Sequence, residues 1–277
     1  MLKSILVHIP TERPIRPVVD AAVSLAARRA AHLDAVSIGL EVTNVDLAPD
    51  GGAALAAVIE IEQERALAQA NAALAAFETE ARNAEISYGL QPLIGAPAET
   101  AATVTALARL YDLTIVLQSE PGGNAFDNTI PEEILFQSGG PVLLIPYTHK
   151  GPFEPKHIGI AWDGSRLAAR ALRDAAPFLA HARAITIITV NAAEIPAEIS
   201  APTLVAHLGR RGLAARTVSM SANRADIQPT ILSIAADIGL DLIVMGGYGH
   251  MRLQERILGG VTRGMLQSMT VPTLMSH

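Results

Sequence analysis

The chain has 277 residues, of which 50% are hydrophobic, 17% are charged and only 4% are aromatic, a composition that fills a core with small aliphatic side chains and argues against disorder. The formal net charge of −6 and the scarcity of clustered Lys and Arg argue against a nucleic-acid-binding protein, because neutralising phosphates requires cationic clusters. The absence of cysteine excludes disulfides and Cys-ligated metals, and no apolar run is long enough for a membrane span or a signal-peptide core, so we expect a soluble, cytoplasmic protein with no membrane partner.

The first part of the chain alternates short apolar runs with segments of helical periodicity. The predicted strands cover residues 3–7, 34–40, 85–94, 113–117 and 142–145. The predicted helices cover residues 14–31, 54–84, 98–110 and 131–137. Strands that alternate with helices in this way predict a parallel sheet with helices on both faces.

The second part of the chain repeats this order. The run Lys156-His-Ile-Gly-Ile resembles Lys3-Ser-Ile-Leu-Val, and Asp241-Leu-Ile-Val resembles Asp112-Leu-Thr-Ile. Further strands are predicted at 184–190 and 214–220, and further helices at 167–179, 202–211 and 226–238. Internal repetition predicts two copies of one unit: a domain at residues 1–148 and a domain at 156–277, each a doubly wound, five-stranded parallel sheet. Residues 147–155, polar and containing proline, are the expected linker.

The stretch from Asp241 to Leu266 is the candidate ligand site. It begins with a short apolar run, breaks at Gly246, Gly247 and Gly249, and resumes as a helical segment after a second glycine pair, Gly259-Gly260. Glycine tolerates positive φ and lets backbone N–H groups approach an anion without a Cβ in the way. The pattern therefore predicts a buried strand leading into an anion-binding loop at a helix N-terminus.

Two motifs carry a resemblance to a known family. Gly246, Gly249 and Gly259 match the spacing of the nucleotide loop of universal stress proteins: Gly, two residues, Gly, nine residues, Gly, then Ser or Thr. The last position departs from this pattern because it is Gly260. Residues 162–165, WDGS, resemble the family's Asp-Gly-Ser turn after its first strand. The whole chain resembles a tandem member of the family.

The resemblance implies a fold, a ligand and a site. The fold is the adenine-nucleotide alpha hydrolase-like one, with two sheets packed about a pseudo-twofold axis and the edge strands 142–145 and 271–275 in contact. The implied ligand is ATP or another adenine nucleotide, bound in the C-terminal domain only, in a protein with a stress-response or regulatory role. The implied pocket consists of Ala161, Trp162, Asp163, Val190, Met245, Gly246, Gly249, His250, Gly259, Gly260, Val261 and Thr262. A protein partner is expected but not identified, and homodimer formation is left open.

The first copy lacks the features of this site. Its turn reads Ile9-Pro10-Thr11-Glu12, and its loop begins Leu117-Gln118-Ser119-Glu120. The Glu120 carboxylate is expected where a phosphate would approach, and like charges repel strongly in a partly desolvated site. We therefore predict that the first copy binds no nucleotide through this site.

Each site residue also has a plainer interpretation. The glycines of the second copy serve equally well as tight turns that bind nothing. Asp163 either bonds a ribose or base, or caps the following helix. Trp162 is assigned to core packing in preference to base stacking, and His250 to a solvated loop in preference to a phosphate contact. A hydroxyl at Thr262 would point to a different face from Gly260.

Other chemistries find no support in the sequence. It has no GxxxxGK[ST], GxSxG or dinucleotide-binding fingerprint, and its histidines show no metal-site spacing. We expect neither a metal site nor an enzymatic activity. Two alternatives remain open: a protein-interaction module that has lost nucleotide binding and uses the helix at 54–84, and, less favoured, a slow ATP hydrolase.

Overall fold

The computed structural model describes residues 2–41, 52–123, 125–247 and 260–277. The first half contains β1 (Ser4–Ile9), α1 (Arg16–Arg29), β2 (His32–Leu40), α2 (Gly52–Asn83), β3 (Tyr88–Gly95), α3 (Pro97–Ala108), β4 (Leu113–Leu117), α4 (Ile130–Gln137) and β5 (Val142–Ile145). The second half contains β6 (His157–Ala161), α5 (Arg166–Asp174), α6 (Ala176–Leu179), β7 (Ala184–Val190), α7 (Ala201–Gly209), β8 (Ala215–Met220), α8 (Ile227–Asp237), β9 (Leu242–Gly246), α9 (Gly260–Ser268) and β10 (Thr273–Ser276). The predicted alternation of strands and helices is confirmed.

All ten of these strands form one sheet, in the order β3-β2-β1-β4-β5-β10-β9-β6-β7-β8. Pairing is parallel within each half, and β5 pairs with β10 antiparallel, with Leu143 opposite Leu274. The order reads the same from both ends when each strand is exchanged for its repeat partner. The two predicted five-stranded sheets are therefore confirmed, and the predicted contact between their edge strands joins them into one sheet with pseudo-twofold symmetry.

The repeat extends to individual hydrogen bonds at the amino ends of the strands. Asp112 and Asp241, which precede β4 and β9, each accept two backbone N–H bonds through Oδ2. The donors are Lys3 and Ser4 at 2.7 and 3.0 Å, and Lys156 and His157 at 2.9 and 2.8 Å. These two bonds lower the pKa of Asp112, the bond from Lys3 being the largest cause. Each aspartate thus links the start of its strand by hydrogen bonds to the start of the central strand of its half. This shared role explains why the aspartate recurs in the sequence.

Two apolar layers cover the sheet. On one face, α1, α2, α5, α6 and α7 pack against strand residues such as Val7 and Ile160. On the other face, α3, α4, α8 and α9 pack against residues such as Leu6 and Ile243. Alternate residues of the buried strands point to opposite faces, which explains why these strands are continuously apolar in sequence.

The helix predicted at 167–179 is divided at Ala175 into α5 and α6. Pro177 lies in the first turn of α6. A proline in a helix interior would lose a hydrogen bond and clash with the carbonyl four residues before it, whereas it is tolerated in a first turn. The proline therefore explains why a second helix starts here.

The connector between the halves is packed against both of them. Its backbone N–H at Phe153 donates to Ser24 Oγ at 2.8 Å, and the Phe153 ring lies edge-on to Phe178 with centroids 6.2 Å apart. Glu154 forms a 2.9 Å ion pair with Arg28. Phe153 is only 2% exposed, so the segment predicted as a polar linker contributes a core residue between α1 and α6.

None of the helices in the described ranges combines the length and the apolar character that crossing a membrane requires.

We predict that the β5–β10 pairing is a main source of stability. Leu274 is fully buried in this pairing, so Leu274→Ala should lower the free energy of unfolding by about 2–5 kcal/mol, because it removes buried methyl groups and leaves a cavity. Urea unfolding monitored by circular dichroism measures the change. The control, Leu110→Ala, alters a side chain that is 77% exposed and should shift stability by less than about 0.5 kcal/mol. Equal effects of the two substitutions would contradict the assignment.

Candidate functional site

The candidate site lies where the strand order of the second half reverses. From β6 the sheet continues through β7 and β8 on one side and through β9 and β10 on the other. Ala161 is paired with Ile188 of β7, and Ile160 with Val244 of β9. The strand ends that carry Ala161, Val190 and Met245 therefore meet at one edge. In open α/β sheets, ligands bind at this kind of edge, outside the carboxyl ends of the strands.

Trp162, the first residue after β6, is packed in the core. Its side chain is 8% exposed, and its Nε1–H donates to the carbonyl of Ile199 at 2.7 Å. Its backbone N–H donates to Ile188 at 2.8 Å. The indole thus belongs to the layer that includes α7 and holds the 197–199 turn against the sheet, which favours the packing interpretation.

The turn after Trp162 prepares the start of α5. Asp163 is exposed, and its Oδ1 accepts the backbone N–H of Ser165 at 2.9 Å. Ser165 is the N-cap of α5, and its Oγ accepts the N–H of Ala168 at 3.1 Å. The residue that caps α5 is therefore Ser165 and not Asp163. The sequence analysis missed Ser165, although serine is a preferred N-cap residue.

Gly246 and Gly247 have packing reasons to be glycine. A Cβ on Gly246 would lie 2.7 Å from the backbone nitrogen of Ala168, closer than α5 could tolerate. A Cβ on Gly247 would lie 3.3 Å from Leu135 Cδ2 on α4 of the first half. Close packing, a role that the sequence analysis did not consider, thus accounts for Gly246 and favours glycine at 247. Gly249, His250 and Gly259 lie outside the described residues.

The far side of the site is the start of α9. Gly260 is its first residue, Val261 is half-buried and Thr262 is 4% exposed. Met245, on the neighbouring strand, is 5% exposed and belongs to the apolar layer under α9. As at the start of any helix, the backbone N–H groups in the first turn of α9 have no partner carbonyl within the helix itself.

The same edge of the first half carries much larger side chains. By the repeat, His8 stands where the second half has Ala161, and Gln118 stands where it has Gly247. The second match is supported by a shared backbone bond: the N–H of Gln118 donates to Ile145 at 2.8 Å, and that of Gly247 donates to Ser276 at 2.9 Å. His8 and Gln118 are 2% and 0% exposed. An imidazole and a carboxamide thus occupy the edge that the second half lines with a methyl group and a hydrogen.

Asp127 closes this edge of the first half. It is 3% exposed, and its Oδ2 accepts the backbone N–H groups of Thr11 and Glu12 at 2.9 and 3.0 Å. Its Oδ1 lies 3.5 Å from His8 Nε2. The sequence analysis had placed Glu120 at the phosphate position, but the Glu120 side chain is 57% exposed. The buried carboxylate is Asp127, because the loop after β4 folds back over the turn after β1.

Arg13 completes the cluster. Its Nη2 donates to the carbonyl of Gln118 at 2.6 Å, its Nε lies 4.0 Å from Glu120, and the residue is 8% exposed. Burial lowers the pKa of Arg13, an effect that the Glu120 carboxylate opposes. Sequence reasoning missed Arg13, His8 and Asp127. The available signal was His8, the polar residue within the apolar run of β1.

In the described part of the chain, no group of three or more His, Asp or Glu side chains is arranged to hold a metal ion.

His8 gives a testable pH dependence. Burial lowers its pKa, with the Asp127 carboxylate opposing the shift and Arg13 adding to it. An unfolded histidine takes up a proton near pH 6.5 whereas the folded one resists protonation, so this contribution to stability is present above pH 6.5 and is lost as the pH falls below it. Between pH 7.5 and pH 5.5 the free energy of unfolding should fall less in His8→Gln than in the wild type, by up to about 1.4 kcal/mol. Urea unfolding at the two pH values measures this difference. His207→Gln, at an exposed position, is the control, and an unchanged pH dependence in His8→Gln would refute the assignment.

Comparisons with known proteins identify the second half. The model of the universal stress protein family matches residues 154–277, and the comparison with curated proteins finds no match. A universal stress protein from Archaeoglobus fulgidus DSM 4304 is similar in structure, with a TM-score of 0.71 and 17% identity over 98% of this chain and 95% of that one. The functionally unknown protein PA1789 from Pseudomonas aeruginosa PAO1 has a TM-score of 0.62 and 16% identity, with 99% and 92% covered. Residues 154–277 thus match the universal stress protein family, and the chain as a whole has the fold of the Archaeoglobus protein.

Proposed function

We propose that this protein is a tandem universal stress protein with a stress-response or regulatory role, built from domains at residues 1–148 and 156–277. The matching hydrogen bonds of Asp112 and Asp241 support the tandem repeat, because each half contains one aspartate that accepts the same pair of backbone N–H bonds. We further propose that the C-terminal domain alone binds an adenine nucleotide, with ATP as the leading candidate. A cytoplasmic location fits a chain without cysteine.

The observation that carries this proposal is the contrast between the two C-terminal edges of the sheet. The second half presents Ala161 and Gly247 where the first half presents the buried His8 and Gln118. In the first half, Asp127 already accepts the turn N–H groups at 2.9 and 3.0 Å. The smaller side chains thus favour a ligand in the second half, whereas larger side chains fill the matching positions of the first half.

The proposed pocket has three parts. Ala161 and Val190 end adjacent strands and would face the base and ribose, with Asp163 exposed at the turn. The first turn of α9, from Gly260 to Val261, would direct N–H groups at a phosphate, which helix N-termini bind well. The pocket is completed by the remaining family positions: Trp162, Met245, Gly246, Gly249, His250, Gly259 and Thr262.

Binding is expected to be weaker than in members that carry the loop hydroxyl. Gly260 has no side chain to donate, and Thr262 is 4% exposed, within the helix interface. Loss of one or two polar contacts to phosphate costs about 1–3 kcal/mol, which corresponds to a roughly ten- to hundredfold lower affinity. We assign the protein a binding role and no catalytic residue.

Calorimetry with ATP tests the proposal. We expect saturable binding by the wild type and an affinity at least about tenfold lower in Gly249→Glu, because this substitution places a carboxylate in the phosphate loop. The control, Gly209→Glu, adds the same charge at the end of α7, where a Cβ would have no neighbour within 4 Å. It should bind ATP as the wild type does. Calorimetry is preferable to fluorescence because the only tryptophan, Trp162, is buried.

A second variant addresses the contrast between the halves directly. Ala161→His introduces into the second half the imidazole that the first half carries at His8, and it should also abolish or strongly weaken ATP binding. An ATP affinity that neither Gly249→Glu nor Ala161→His lowers would refute the proposed site. Absence of binding by the wild type at millimolar ATP would refute nucleotide binding altogether.

The alternative, a protein-interaction module, is favoured by one feature of α2. Its buried residues, such as Ala66 and Phe77, lie in its C-terminal part, whereas residues 56–61 in its N-terminal part are exposed. Three apolar residues there are exposed: Val58 (40%), Ile59 (46%) and Ile61 (61%). Grouped exposed apolar side chains often mark interaction sites. If the chain binds no ATP, this exposed surface of α2 becomes the leading candidate for its function. Release of phosphate from ATP would instead indicate a slow hydrolase.

A further inference from the structure

A cleft runs along α5, on the side of the helix that faces the first half. Its volume is about 590 Å³, and it is lined by Arg166, Leu167, Arg170, Arg173, Asp174 and His277. The three arginines are spaced four and three residues apart, so they share one face of the helix. The sequence analysis did not single them out, although the spacing is visible in the sequence.

Arg170 is fixed at the centre of the cleft. Its Nη1 donates to the backbone oxygen of His277 at 2.7 Å, and its Nη2 donates to the carbonyl of Gly139 in the first half. Its Nε lies 3.7 Å from the Asp174 carboxylate. The guanidinium thus links α5 to the end of β10 and to the turn before β5, which gives the cleft one rigid cationic wall across the two halves.

Arg166 and Arg173 flank Arg170 and are exposed. Within residues 2–41, 52–123, 125–247 and 260–277, neither guanidinium group makes a hydrogen bond or an ion pair. Among the described residues that line the cleft, Asp174 supplies the one side-chain carboxylate, and this carboxylate also accepts a 2.7 Å bond from Ser276 Oγ. The three guanidinium groups make this described lining locally cationic, on a chain whose net charge is −6.

The histidine in the cleft responds to this positive charge. The His277 ring lies edge-on to Phe136, with centroids 5.0 Å apart. Partial burial lowers its pKa, and the nearby Arg166 and Arg170 lower it further. An anion bound among the arginines would offset their effect, so the pKa of His277 should rise on binding.

We propose that the α5 cleft binds the oligophosphate group of a small molecule through the arginine face of α5. Guanidinium groups bind phosphate oxygens through paired N–H donors, and several neighbouring arginines match an anion that carries several charges. The cleft has the volume of a small-molecule site. Arg170 provides the rigid wall, and the exposed Arg166 and Arg173 are the phosphate ligands.

The test uses inorganic tripolyphosphate in the Gly249→Glu background, where the glycine loop cannot contribute. Calorimetry at low salt should show saturable binding. Arg166→Gln combined with Arg173→Gln should weaken it at least about tenfold, because two charge-assisted contacts are lost. Arg170 is left intact because it joins the two halves.

The matched control is Arg210→Gln combined with Arg211→Gln, which removes the same charge from an exposed pair at the end of α7. It should leave the tripolyphosphate affinity within about twofold of the value for the Gly249→Glu parent, because screened charges at a distance contribute little. An NMR pH titration should show the pKa of His277 rising with tripolyphosphate in the parent and not in the Arg166/Arg173 variant. Absence of saturable binding, an equal loss in both double variants, or an unshifted His277 would overturn the proposal, whatever the result for ATP.

Discussion

The antiparallel pairing of β5 with β10 determines the arrangement of the whole molecule. Each half of the chain folds into a parallel sheet with one short edge strand, and an exposed edge of that kind is prone to pair with another chain. Here the two edges satisfy each other, with Leu143 opposite Leu274. The pairing makes one ten-stranded sheet, hides both edges in its centre and sets the pseudo-twofold relation that brings α5 next to the first half.

Symmetry of the backbone does not extend to the chemistry of the two carboxyl edges. The strands and helices are arranged in the same way in both halves, and even the backbone N–H bonds that Asp112 and Asp241 accept are repeated. What differs is side-chain volume and charge. His8, Gln118 and Asp127 close the first half with an internal carboxylate, whereas the second half presents small residues at the matching positions. Larger side chains thus fill the carboxyl edge of the first half, and the binding role proposed for the second half rests on this difference.

Much of the frame could be predicted from the sequence because the signals are local. The apolar runs of β4, β5 and β7 were predicted to the residue, the repeated Lys and Asp positions indicated the tandem unit, and the family resemblance implied the contact between the edge strands. Features that depend on distant parts of the chain were missed. Phe153 looked like part of a polar linker because its partner, Phe178, lies in the other half. Asp127 could not be placed over the turn after β1 without the path of the loop, so Glu120 was chosen instead. The α5 arginines form a cleft only because Gly139 and His277 approach them.

The central claim is that one frame supports two unlike edges, of which a single one binds nucleotide. Equilibrium dialysis against radiolabelled ATP, carried to saturation, measures the number of nucleotides bound per chain, and the full chain carries Arg166→Gln and Arg173→Gln so that the α5 cleft does not contribute. The account predicts one. Two bound nucleotides would show that His8, Gln118 and Asp127 do not close the first half, and a value of zero would show that the glycine loop of the second half binds no nucleotide.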